Sequence, residues 1–96
     1  MENFQPAVYI MTNRRNGTLY VGVTSNLSKR VDEHKAGFGS EFTKKYKLHT
    51  LVYAEVCETM PQAIEREKQL KGGSRTSKIA LIERDNPHWE DISRFA

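Results

Sequence analysis

Two short β-rich runs near the start of the chain constrain its fold more than any other feature. Ala7–Thr12 and residues 18–24 are rich in β-branched, aromatic and aliphatic side chains, and Asn13-Arg14-Arg15-Asn16-Gly17 separates them. A polar stretch ending in Asn-Gly between two such runs reads as a β-hairpin. Side chains alternate along a strand, so Leu19, Val21 and Val23 face one way and Thr18, Tyr20, Gly22 and Thr24 the other. Tyr9 and Tyr20 then lie on neighbouring strands, and they share a face if the loop sets that register.

The rest of the chain supplies what covers the hairpin. Thr24-Ser25-Asn26 offers cap residues before a helix that carries Leu27 and Val31, with Phe38 two turns further on. Gly37 and Gly39 end it. Residues 40–45 suit a short helical turn, and residues 47–58, with Leu48, Thr50, Leu51, Val52, Tyr53 and Val56, suit a third strand. Thr59-Met60-Pro61 opens a helix that runs to Leu70 or Lys71 and stops at Gly72-Gly73. A further helix over residues 76–84 carries Ile79, Leu81 and Ile82, and Asn86-Pro87 forbids its continuation. Trp89 and Ile92 are expected to pin the tail to the body. The order β-β-α-β-α-α predicts an α/β or α+β sandwich, and 96 residues suffice for one domain, 1–96.

Composition narrows the class. Hydrophobic residues at 38 % and charged residues at 28 % give a globular balance rather than a disordered one. Cys57 is the only cysteine, which excludes an intramolecular disulfide and a cysteine-based zinc framework. No apolar run reaches the length of a signal core or a membrane span, so the cytoplasm is the expected compartment and a membrane is not an expected partner. A net charge of +3 is weak evidence for nucleic acid, and the distribution says more. Basic residues crowd the middle of the chain and again the later helical region. Of these, Lys29, Lys44, Lys45, Lys71, Arg75 and Lys78 are the candidate DNA contacts, against the bland alternative of solvated helix faces.

Three local constellations carry chemistry. In the helix after Pro61, Met60, Ala63, Ile64 and Leu70 define an apolar stripe, and Glu67 lies on it. A carboxylate aimed at the body of a protein is either paired in a salt bridge or bound to a cation. Hard cations such as Mg²⁺ are often held by one or two carboxylates together with water and phosphate oxygens. Arg30 and His34 are four residues apart on one side of their helix, where the first suits a phosphate and the second a proton near neutral pH. Tyr9 and Tyr20 are packed aromatics or, where cations lower a phenol's pKa, groups that position or deprotonate a water.

Taken in order, these residues resemble the GIY-YIG nuclease superfamily, which includes the N-terminal nuclease domain of the bacterial excinuclease C subunit, homing endonucleases and restriction enzymes. Small stand-alone bacterial proteins often labelled excinuclease C-like share the same look. The likeness runs from Val8 to about Ile92, through Leu19-Tyr20-Val21-Gly22-Val23-Thr24, Asn26-Leu27, Arg30 to His34, Arg66-Glu67-Lys68-Gln69-Leu70-Lys71 and Asn86-Pro87 with Trp89. It implies a three-stranded antiparallel sheet flanked by helices and a metal-dependent endonuclease acting on DNA, with a role in repair or recombination. Tyr9 and Tyr20 match the motif's two tyrosines, Arg30 the active-site arginine, His34 a position held by histidine or tyrosine, and Glu67 the ligand of Mg²⁺ or Mn²⁺. The first motif departs, with Ala7-Val8-Tyr9 for Gly-Ile-Tyr, and Val23 stands where several members have lysine. A late asparagine has no match near Lys78 and Ile79, and Asn86 is only a candidate stand-in. The alternative is a catalytically weak or inactive nucleic-acid-binding module of the same fold. So small a domain has little room for a reader of bases, so sequence specificity would come from a homodimer or an accessory protein.

Overall fold

A computed structural model of the chain describes residues 4–96. Strands β1 (Ala7–Thr12) and β2 (Leu19–Thr24) form the hairpin and are followed by α1 (Leu27–Lys35), α2 (Glu41–Tyr46), β3 (Thr50–Val56), α3 (Met60–Gly72) and α4 (Arg75–Asp85), with a 3-10 turn at Ser93–Phe95. The strands make one antiparallel sheet in the order β2-β1-β3, so the fold is α+β. Central placement buries all six residues of β1, which explains why that strand reads as an unbroken apolar and aromatic run.

Helices cover both faces of the sheet. Val8, Ile10 and Val21 point to one face and pack with Ala63 and Leu70 of α3, Ile82 of α4 and Trp89. Tyr9 and Met11 point to the other and pack with Val31 of α1, Leu48 and Leu51, while Tyr20, Leu27 and Ile92 border that cluster. A bulge sets β3 between the two. Ile10 pairs with Tyr53 and Met11 with Leu51, so Val52 is the extra residue. The bulge turns both Val52 and Tyr53 to the α3–α4 side and leaves Leu51 on the α1 side.

Helix ends follow the expected chemistry. Asn26, Ser40, Thr59 and Ser74 each accept a backbone N–H from the first turn of α1, α2, α3 and α4. α1 closes where the Gly37 amide donates to the His34 carbonyl and the Phe38 amide to that of Glu33. The C-terminal tail is pinned by Trp89 in the core and by the Ile92 amide on the Leu51 carbonyl.

Three expectations need correction. The third strand begins at Thr50, not at residue 47, because Lys47 takes a left-handed φ of 56° to end α2 and the chain then crosses to the sheet with Leu48 buried. Phe38 lies beyond the end of α1, so helical spacing no longer places it, and it is 79 % exposed. Ile64 stands at the solvent edge of α3, since Ala63 and Leu70 define the buried stripe a little further round the helix.

Candidate active site

Register decides what the two tyrosines can do. Tyr9 pairs with Gly22 and Met11 with Tyr20, so both tyrosines occupy the face covered by α1 and α2. Their rings lie 6.3 Å apart, and each ring is 5.6 Å from the His34 imidazole. Tyr9 crosses directly over Gly22, where a Cβ would meet its ring and hydroxyl. Gly39 closes the opposite side, because a Cβ there would overlap the His34 imidazole. Both glycines are therefore demanded by close approach.

A hydrogen-bonded chain runs through this cluster. The Tyr9 hydroxyl is 2.8 Å from His34 Nε2, and His34 Nδ1 is 3.0 Å from Thr43 Oγ1. Tyr9, His34 and Thr43 are all buried. Burial and the nearby Arg30 guanidinium hold the His34 pKa down at about 4, so the imidazole is neutral near pH 7, with one donor and one acceptor nitrogen. Burial likewise pushes the Tyr9 phenol up to about 12, against a smaller lowering by Arg30. Arg30 has only donors to offer the Tyr9 oxygen, so the Tyr9 proton points at Nε2. His34 then donates from Nδ1 to Thr43 Oγ1, and the Thr43 hydroxyl donates to the Ser40 carbonyl at 3.1 Å. Among the described residues no buried side-chain nitrogen or oxygen lacks a partner.

Arg30 borders the cluster from α1. It donates to the Gly39 carbonyl at 2.7 Å and to Glu33 Oε1 at 3.4 Å, and its side chain remains 29 % exposed. Five N–H donors leave it some to spend on a phosphate. Tyr20, half-buried on β2, is the tyrosine within reach of solvent; Tyr9 is fully enclosed. Cations do not lower the Tyr9 phenol as the sequence reading required, because desolvation outweighs the guanidinium.

Glu67 lies elsewhere. It projects from the buried stripe of α3, between Ala63 and Leu70, on the helix that packs against β2 from the other face of the sheet. Its side chain is 17 % exposed and pairs with Lys71 Nζ at 3.4 Å. Among the described residues no hydrogen bond or ion pair links Glu67 to Tyr9, Tyr20, Arg30 or His34, and no three acidic, histidine or cysteine side chains gather as a metal cage. The salt bridge is thus the pairing the structure shows, and because Lys71 is exposed this largely buried carboxylate can exchange it for a divalent ion completed by phosphate and water. Glu67 is the residue that would hold it.

The candidate DNA contacts divide into two sets. Lys29, Lys44 and Lys45 are exposed. Lys71 is engaged with Glu67, Lys78 donates to the Gly73 carbonyl at 2.9 Å, and Arg75 Nη2 donates to the Asn16 and Gly17 carbonyls at 2.7 and 2.6 Å, clamping the hairpin loop. Asn86 is no stand-in for a catalytic asparagine. Its amide is spent on the Val52 and Glu90 carbonyls and on the Glu90 amide, which fix the C-terminal turn. Thr43 and Gly39 were not legible as site residues. The Ser40-x-x-Thr43 spacing signals a helix start, yet nothing in it shows that Thr43 also meets His34.

Residues 5–80 match the family model described as the GIY-YIG catalytic domain. A UPF0213 protein of Staphylococcus haemolyticus is 38 % identical over 76 residues, covering 79 % of this chain and 92 % of its own length. One of Syntrophus aciditrophicus is 39 % identical over 71 residues, covering 73 % and 80 %. The solution NMR structure of a UPF0213 protein from Bacillus halodurans aligns over 96 % of this chain and 97 % of its own with a TM-score of 0.57 at 24 % identity, a likeness of fold. With its matched domain and its three-stranded antiparallel sheet, the chain belongs to the GIY-YIG nuclease family.

Proposed function

We propose that this domain is a metal-dependent endonuclease that hydrolyses DNA phosphodiester bonds, acting in DNA repair or recombination. The observation that carries this reading is the convergence of Tyr9, Tyr20 and His34, bordered by Arg30, beside an outer strand of the sheet. A phosphate held along the free edge of β2 would meet Tyr20 and Arg30 from one face and Glu67 from the helix on the other. A Mg²⁺ or Mn²⁺ ion on Glu67 would offset charge on the scissile phosphate and the leaving 3′ oxygen.

The protein's own groups do the rest. Arg30 clamps a non-bridging oxygen with the N–H groups that Gly39 and Glu33 leave free. Tyr20 orients the attacking water. Tyr9 holds its proton at neutral pH and donates it to His34 Nε2, so this buried pair braces the ring of Tyr20, and the proton of the attacking water passes to solvent on the open side of Tyr20. Thr43 accepts from Nδ1 and so holds the imidazole in that tautomer.

The test is nicking of plasmid, branched and damaged DNA with Mg²⁺ or Mn²⁺. Glu67→Ala and Arg30→Ala should each lower cleavage by about a hundredfold or more, the scale of losing a group that stabilises transition-state charge. Robust cleavage by Glu67→Ala would remove that residue from the mechanism. Salt-dependent DNA binding with no cleavage by the wild type would identify a binding module instead.

A further inference from the structure

We infer that α2, together with Tyr20, forms a stacking platform for an unpaired strand, so that the DNA engaged by this site is single-stranded beside the scissile phosphate. The inference rests on the nuclease reading for its place at the cleavage site. Its own support is a row of rings. Tyr20 lies 6.1 Å from Phe42 with 30° between planes, and Phe42 lies 4.8 Å from Tyr46 with 50° between planes. Since Tyr20 also touches His34, the row leads without a break from the buried cluster to the surface.

Phe42 and Tyr46 belong to neither core cluster and remain 43 % and 41 % exposed. They are four residues apart on the outer side of α2, because Thr43 between them is the residue turned inward to His34. Isolated exposed apolar side chains are ordinary and imply nothing. Here two rings touch each other and a candidate catalytic tyrosine, and a lysine lies over the outer one. Lys44, Lys45 and Lys47 are all exposed, and Lys45 Nζ sits 5.4 Å over the Tyr46 ring.

That combination selects the occupant. An apolar peptide would gain nothing from three lysines. A closed duplex offers phosphates to the lysines but keeps its base faces inside the stack, so the rings would find no partner. An unpaired strand offers both base faces and phosphates, the chemistry by which aromatic and basic grooves hold single strands without reading sequence. Such a platform also suits a domain with no room for a reader of base edges.

The experiment uses the full chain carrying Glu67→Gln, so that binding is measured without cleavage. A short oligothymidylate and a duplex of equal length are titrated at one salt concentration. The oligothymidylate should bind more tightly. Phe42→Ala and Tyr46→Ala should each weaken it by about tenfold, the scale of one lost base stack, with little change for the duplex. Phe42→Trp should keep the affinity and Phe42→Leu should lose it, which separates stacking from mere apolar contact. Thermal melts verify that each variant is folded. Equal affinity for the two ligands, no binding to either, or equal losses on both overturns the platform. Wild-type nicking of duplex plasmid is read separately. Wild-type cleavage of single-stranded oligonucleotide is read beside it: cleavage of either DNA without single-strand binding preference leaves the nuclease standing and removes the platform, whereas preference with cleavage of neither supports the platform and removes the nuclease.

Discussion

At His34, burial and a neighbouring guanidinium act in the same direction, and the consequence reaches stability as well as chemistry. The imidazole faces Arg30, Glu33 and His49, and its pKa falls from 6.5 to about 4 in the folded protein. Between those values the unfolded chain binds a proton that the folded one does not, so stability rises with pH across this window and is lost as pH falls through it. A shift of that size corresponds to roughly 3 kcal/mol. Urea unfolding at pH 7 and pH 4 should show the loss in the wild type, and His34→Gln should remove most of the difference. An equal loss in the variant would assign acid sensitivity to other groups. Thr43 admits a sharper test. Thr43→Val leaves His34 Nδ1–H without its partner and should cost about 1 to 3 kcal/mol, while Thr43→Ser should restore most of it. If the hydroxyl also fixes the imidazole tautomer, the valine variant should lose cleavage beyond what its stability explains. Gly22→Ala belongs at this scale too, because its methyl would force the Tyr9 ring off His34. A loss of about 1 to 3 kcal/mol is expected by overpacking, and an unchanged melting temperature would mean that the ring has room to move.

Element by element, α2 is the shortest α-helix, yet it holds both the Thr43 link to His34 and the outer rings Phe42 and Tyr46. Its start is a capping box, with Ser40 Oγ accepting from the Thr43 amide and Thr43 Oγ1 accepting from the Ser40 amide. Ser40→Ala should therefore cost about 1 kcal/mol in denaturant unfolding, a loss that Ser40→Asp should largely recover. The order of elements was legible in the chain because each boundary has local chemistry: Asn16-Gly17 in the hairpin loop, Asn26 and Thr59 as caps, Gly72-Gly73 as a stop. Tyr9, Tyr20, Arg30, His34 and Glu67 could be named because residue type and spacing mark each as a candidate and the resemblance to the family joins them. What escaped depends on tertiary packing. Lys47 takes a left-handed conformation that no propensity assigns to lysine. The bulge at Val52 reverses the facing of β3 beyond it, and simple alternation cannot foresee that. Ile64 and Phe38 fit an apolar period yet face water, because the period gives the stripe but not how far the neighbouring element reaches.

Across the whole molecule, the sheet separates two basic surfaces that charge counting alone merges. The domain measures 35 × 27 × 23 Å, about the length of one turn of B-DNA, so one side at a time can meet a nucleic-acid strand. On the α3–α4 side, Lys71, Arg75 and Lys78 already have protein partners in Glu67, the hairpin loop carbonyls and Gly73. On the α2 side, Lys44 and Lys45 are exposed, and Lys45 lies over the outermost ring of the aromatic row. The two sets should separate in a salt titration. Removing both Lys44 and Lys45 as alanine substitutions should reduce the slope of log affinity against log salt by about 1.4 to 1.8, the release expected from two phosphate contacts. Arg75→Ala should leave that slope nearly unchanged and instead destabilise the hairpin by roughly 1 kcal/mol, because its guanidinium works as a clamp on Asn16 and Gly17. The measurement is DNA binding across a potassium chloride series in the Glu67→Gln background, paired with denaturant unfolding. A slope that survives in the double lysine variant but falls with Arg75→Ala would move the footprint to the α3–α4 side, next to Glu67 rather than Phe42. The path of the strand past β2 would then run the other way round the sheet.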